Sequence, residues 1–151
     1  MIKVLSPKNS YEIIENNYIG NLAYIHKDTP YIVPITYFFD KESNTIISYS
    51  GEGHKVNAMR KNCNVSLSVS EIDTVSNWKS VLVVGTFEVL SGSNAKSFLH
   101  KFTSGVRDII LRKEEKNLHF IGEFSSTIYK DEIPIVFIIK IEEVTGRERK
   151  K

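Results

Sequence analysis

The chain predicts a mainly β protein, a closed antiparallel β-barrel with peripheral helices, on three observations. Short segments rich in β-branched and aromatic residues recur along its 151 residues, separated by turn clusters. The links between the strands from residue 20 to residue 50 are too short for the crossovers that parallel pairing requires. Only two or three segments carry helical periodicity, which leaves helices at the periphery of a β architecture.

The elements follow in chain order. Ser6 to Asn17 reads as a helix, because Tyr11, Ile14 and Tyr18 recur at helical spacing with Glu12 and Glu15 between them. Asn16, Asn17 and Gly20 end it. Gly20 to Ile25 alternates as a strand, and His26-Lys27-Asp28-Thr29-Pro30 turns the chain. Tyr31 to Phe39 is a second strand and Thr45 to Ser50 a third, so residues 20 to 50 are expected to form a meander. A short helix over 54–62 buries Val56 and Met59, and Asn62-Cys63-Asn64 stops it. Val65, Leu67 and Val69 mark one face of the next strand. Lys79 to Leu90 is a long strand with Gly85 as a bend or bulge. A helix covers roughly Ala95 to Thr103, the charged stretch from Arg107 to Asn117 fits no single element, and Pro134 to Glu142 is the last strand. No repeat and no linker divides the chain, so residues 1–151 are expected to form one domain.

Composition narrows the function classes. The formal net charge of +2 is too weak to point to nucleic acid, and the basic end Arg147-Glu148-Arg149-Lys150-Lys151 reads as a solvated tail. A single cysteine, Cys63, excludes an internal disulfide and favours a reducing compartment; it reads as a half-buried, inert thiol. With no signal-peptide core and no apolar run of spanning length, the expected location is the cytoplasm, with no membrane partner. His26, His54, His100 and His119 are scattered without zinc-site spacing, and there is neither a nucleophile elbow nor a Walker loop.

The most informative stretch is Gly51-Glu52-Gly53-His54-Lys55, between the third strand and the short helix. A helix start offers free backbone N–H groups and partial positive charge, and His54 and Lys55 add basic side chains. The combination suits a phosphate, although two solvated basic residues on a plain turn would give the same pattern. Pro34 lies within a strand, where its missing N–H would break the ladder and free neighbouring backbone groups; an edge strand that tolerates proline is the alternative. Trp78, the only tryptophan, suits a ring or subunit contact as well as ordinary packing. Alternation sends Lys79 and Ser80 to opposite faces.

Four pieces carry a family resemblance: Gly20-Asn21-Leu22-Ala23; Pro30-Tyr31-Ile32-Val33-Pro34-Ile35-Thr36-Tyr37; Ser50-Gly51-Glu52-Gly53-His54-Lys55 with Asn62; and Trp78-Lys79-Ser80-Val81 with Gly85. Their order and spacing resemble the pyridoxamine 5′-phosphate oxidase-like flavin-binding split barrels, most closely the nitroimidazole-resistance-protein group. The resemblance runs from about Gly20 to Leu90 and returns at 141–147. It implies a six-stranded antiparallel Greek-key split barrel and a homodimer with flavin mononucleotide (FMN), or FAD in its place, at the subunit interface. It implies that backbone groups of Val33, Pro34, Ile35 and Thr36 meet the isoalloxazine edge. Ser48, Tyr49 and Ser50 would line the ribityl and phosphate side, Lys55 with His54 would hold the phosphate, one of Lys79 and Ser80 would also reach it, and Trp78 would pack against the ring or the partner subunit. It implies a flavin-dependent oxidoreductase acting on a small molecule, with NADH or NADPH as possible donor. A non-catalytic module holding flavin or haem is the alternative. A base-stacking nucleic-acid barrel ranks well behind, because most aromatics occupy core-type strand positions. One position departs from the nitroimidazole-resistance group: Ser48 stands where that group carries a histidine. An arginine-rich substrate grip like that of the vitamin B6 oxidases is also missing, beyond Arg147 and Arg149.

Overall fold

The computed structural model describes residues 1–114 and 134–151. His119, residues 115–117 of the charged stretch and Ile133 lie outside the described residues. The elements are β1 (Ile2–Val4), α1 (Pro7–Glu15), β2 (Ile19–His26), β3 (Thr29–Thr36), β4 (Phe38–Asp40), β5 (Thr45–Ser50), α2 (His54–Lys61), β6 (Asn64–Thr74), β7 (Asn77–Val89), α3 (Gly92–Lys113) and β8 (Ile135–Arg149). All strand pairs are antiparallel, in the order β3-β2-β6-β7-β8-β5-β4, with β1 added to β8.

The expected second strand is two strands. Tyr37 breaks it: its backbone N–H donates to the Tyr18 carbonyl at 2.8 Å and its hydroxyl to the Ile14 carbonyl at 2.9 Å. β3 therefore pairs with β2 and β4 with β5, at opposite ends of the strand path. Because β3 and β4 are one residue apart in sequence, the path closes on itself as a barrel. Residues 20–50 are thus not a meander, since β5 pairs with β8 rather than with β3. Counting β3 and β4 as one broken strand and setting the short β1 aside leaves the six expected strands.

Inward-facing side chains fill the barrel: Leu22, Ile35, Ile46, Leu67, Val83, Phe137 and Ile139 are buried, with Met59 of α2 among them. Alternation in each strand delivers them to one face. A second cluster lies outside the wall, where Ile47, Val136 and Ile138 of β5 and β8 meet Phe102, Val106 and Ile110 of α3. α3 is longer than the sequence suggests and runs on through residues 104–113. α1 starts on Ser6, whose hydroxyl accepts from the Asn9 N–H at 3.1 Å, with Pro7 in the first turn.

The side of the barrel away from α3 has no such cover. The cross-strand registers put Pro30, Ile32, Pro34 and Thr36 of β3 beside Ile25, Ala23, Asn21 and Ile19 of β2. Ser66, Ser68, Ser70 and Ile72 of β6 continue that outer face, followed by Val84, Leu82, Ser80 and Trp78 of β7. These four strands present no charged side chain outward over that span, and Ile32 is 73% exposed and Ile72 75%. Charges return only at β8, where Glu143, Arg147 and Arg149 pair with Val84, Ser80 and Trp78.

Candidate functional site

α2 starts four residues after β5 ends. Its N-cap, Gly53, has extended backbone and offers no side-chain acceptor, so the first-turn N–H groups of His54, Lys55 and Val56 lack a capping partner. The rest of the helix is anchored, with Val56 and Met59 buried in the barrel end. Lys55 is half-buried beside those free amides. Burial holds its ammonium below the ordinary lysine range, and among the described residues no carboxylate pairs with it. The nearest acid in sequence, Glu52, is engaged by Arg60 at 3.1 Å through both of its oxygens. A half-desolvated, unpaired cation at a helix start is a group that an anion would stabilise.

β3 runs past this corner and is touched near both ends. Ser48 Oγ donates to the Thr36 carbonyl at 2.7 Å, and the His54 ring lies 4.9 Å from that of Tyr31. β3 therefore runs from the His54 ring at Tyr31 to Ser48 at Thr36, with Val33, Pro34 and Ile35 between the two contacts. Pro34 does not break the ladder, because register continues through its pairing with Asn21. Unpaired backbone arises differently: β3 ends the strand path and pairs on one side only, with β2. Ile35 is buried in the core, while Pro34 is exposed. Tyr49 is directed to α3, its ring 5.5 Å from Phe102, and Ser50 Oγ donates to the Gly51 carbonyl at 3.0 Å.

Trp78, Lys79 and Ser80 lie elsewhere in the chain. Val84 aligns with Ser66 and Ala23, next to Tyr24 and hence to His54; Trp78 is six positions away along β7, roughly 20 Å at strand rise. Trp78 and Ser80 face outward on the uncharged side, with Ser80 Oγ 3.0 Å from Ser70 Oγ. Lys79 points to the opposite side, in a cleft shared with α1 and with Glu71 and Glu148.

Residues that the sequence reading left aside join the α2 corner. Lys27 and Asp28, both at positive φ, make a two-residue hairpin turn that pairs Tyr24 with Tyr31 and extends β2 to His26. Tyr24 and Tyr31 stack at 5.5 Å and 11°, and the Tyr24 hydroxyl is 3.1 Å from His54 Nδ1. The His26 and His54 rings meet edge-on at 4.6 Å. Loss of water around His26, then the charges of His54, Lys27 and Lys61, hold His26 below the ordinary imidazole range. Cys63 is exposed, not half-buried. The described residues contain no group of three His, Cys, Asp or Glu arranged to hold a metal, and no helix long and apolar enough to cross a membrane.

Comparison with known proteins bears on the family and the fold. The family model for pyridoxamine 5′-phosphate oxidase matches residues 6–148. An uncharacterised protein of Rhizobium meliloti (strain 1021) is 35% identical over 89 residues, 59% of this chain and 58% of that protein, so the match spans little over half of that relative. An FAD-binding protein of Mesorhizobium loti, 28% identical, superposes over 100% of this chain and 98% of its own with a TM-score of 0.77. A candidate 5-nitroimidazole antibiotic resistance protein of Bacteroides thetaiotaomicron, 18% identical, shares the fold over 98% of this chain and 87% of its own at a TM-score of 0.66.

Proposed function

The chain belongs to the pyridoxamine 5′-phosphate oxidase family, and from that premise we propose that it binds a flavin through Lys55 and the start of α2, works as a homodimer, and acts as an oxidoreductase on a small molecule. The observation that carries the reading is Lys55, half-buried beside uncapped helix amides and left without a described counter-charge. The α2 corner fits the phosphate of a flavin: the amides and Lys55 supply the charge, and His54 stands at the rim. Backbone groups on the free side of β3, from Val33 to Thr36, meet the polar edge of the ring system. The reading covers both forms of the cofactor, since FMN and FAD share this half, and the Mesorhizobium loti protein is described as binding FAD.

The homodimer is proposed on two grounds. The outer face of β3-β2-β6-β7 is uncharged and carries large exposed apolar side chains, the composition of an interface core rather than of solvated surface. Trp78 lies six positions along β7, roughly 20 Å, from the strand level of His54, and a partner copy would bring a second Trp78 to the uncharged face. A second copy packed on the uncharged face supplies Trp78 and Ser80 from its own β7. Lys79 faces the other way and is assigned no contact with that flavin.

Bound flavin supplies the electron transfer, and this chain supplies binding, orientation and exclusion of water. The donor is assigned to NADH or NADPH. Ser48 is buried, and its hydroxyl is spent on the Thr36 carbonyl. It offers no group that changes charge near neutral pH where the nitroimidazole-resistance group has histidine, so nitro compounds are assigned a secondary place among substrates. The cytoplasm is the proposed location, on the single cysteine. The absorbance spectrum of the purified protein after incubation with FMN or FAD and removal of excess tests the binding step. Retained flavin bands support it and a colourless protein refutes it. Anaerobic turnover with NADH or NADPH over a substrate panel then separates an enzyme from a storage module.

A further inference from the structure

We propose that Tyr31, His54 and His26 form a subsite for an adenylate group, next to the phosphate seat at Lys55. The inference rests on the flavin reading above, which places a phosphate there. The three rings lie 4.6 to 6.3 Å apart and are mutually inclined by 60° to 71°. At those distances they touch one another, so what they offer a ligand is their outward faces; Tyr31 is 39% exposed and His54 is exposed. The cluster is built from beneath. Buried Tyr24 stacks under Tyr31, and its hydroxyl fixes the His54 ring through Nδ1 at 3.1 Å. A platform held in this way loses little freedom when a flat ring docks on it.

The surrounding charge selects the ligand. Lys27 and Lys61 lie close enough to His26 to depress its protonation, and Lys55 adjoins His54. A cationic guest, the usual partner of an aromatic cluster, is repelled there. A planar heterocycle carrying phosphate is favoured by both the ring faces and the lysines. Beside His26 a cleft of about 170 Å³ opens between the β2–β3 hairpin and the end of α2, floored by Ile25 and Ala58 and edged by Asp28, Lys61 and Asn62. A ring joined through a second phosphate to the one at Lys55 has to pass over His54 to reach it. A metal is not the occupant: His54 Nδ1 is already engaged, and the described residues supply no third ligand.

Two molecules carry an adenylate to such a site, the flavin dinucleotide itself or a nicotinamide dinucleotide bound over FMN. The test compares FMN and FAD titrations of the wild type, Tyr31→Ala and Tyr31→Phe, followed by flavin fluorescence, and then titrates ADP into FMN-loaded protein. Tyr31 is outside the phosphate seat, so FMN affinity is expected to be equal in all three. Wild type and Tyr31→Phe are expected to prefer FAD over FMN by on the order of tenfold, with the preference lost in Tyr31→Ala; that result assigns the adenylate to FAD. Equal FMN and FAD affinities, with ADP binding to FMN-loaded wild type and weakened in Tyr31→Ala, assign it to the nicotinamide dinucleotide. Equal affinities with no ADP binding overturn the subsite and leave the flavin reading standing. Failure of the wild type to bind either flavin overturns both.

Discussion

At the scale of single residues, Lys55 is the group on which the proposed flavin site turns. Its ammonium has lost part of its water and gained no ion pair among the described residues, which is the ground for assigning it to the flavin phosphate. Lys55→Ala should weaken flavin binding by about 1.5–3 kcal/mol, roughly ten- to a hundredfold. Equilibrium titration of folded wild type and variant measures this, and equal affinities would remove Lys55 from the site. Asp40 shows the opposite arrangement, a buried acid with its partners in place. Burial pushes its carboxyl up, but hydrogen bonds from Ser43 at 2.5 Å and Lys101 at 3.2 Å outweigh it, so the net shift is downward. A depressed acid contributes stability that is complete above its unfolded value of 3.8 and is lost as pH falls through the folded value. Asp40→Asn should therefore cost about 1–3 kcal/mol in urea unfolding at pH 7, with the gap to wild type narrowing below pH 4. A pH-independent gap would contradict the assignment.

At the scale of elements, β7 meets β8 without clearance at Gly85. Register shifts between Val84 and Gly85, and a Cβ there would overlap the Lys140 carbonyl. Gly85→Ala should destabilise the barrel by about 1–3 kcal/mol by thermal or urea unfolding, and a neutral result would mean that β8 yields easily. Gly85 is also where the sequence was most legible, because a glycine inside a strongly apolar strand has few other uses. The β5–α2 corner was legible for a related reason: its residues are contiguous in sequence. Elements shaped by distant contacts were not. Tyr37 is a good strand former, and only its bonds to Tyr18 and Ile14 reveal the break between β3 and β4. Thr103-Ser104-Gly105 reads as a helix end by propensity. α3 nevertheless continues, with the Thr103 hydroxyl donating to the Leu99 carbonyl at 2.9 Å and Gly105 lying against the Phe38 ring, where a Cβ would clash. The ring cluster was hidden because it depends on hairpin register. Lys27-Asp28 makes the turn without the glycine that usually marks one.

At the scale of the whole molecule, the two sides of the barrel differ in what covers them. α3 buries the outer side of β5 and β8, whereas β3, β2, β6 and β7 present an uncharged surface with Ile19, Ile32, Ile72 and Leu82 exposed. An interface on that surface predicts that Ile32→Glu, which places a charge on its exposed apolar β3 flank, yields a monomer by light scattering while the fold persists by circular dichroism. A variant that stays dimeric would move the interface elsewhere. In the proposed dimer this interface joins the Lys55 end of one copy to the Trp78 end of another; dimerisation and flavin binding are then coupled, and Ile32→Glu should also bind flavin more weakly. Light scattering with simultaneous absorbance on flavin-loaded wild-type protein tests the shared interface and the cofactor together. The expected result is the mass of two chains carrying two flavins. A flavin-free protein, or a monomer that retains its flavin, would contradict it.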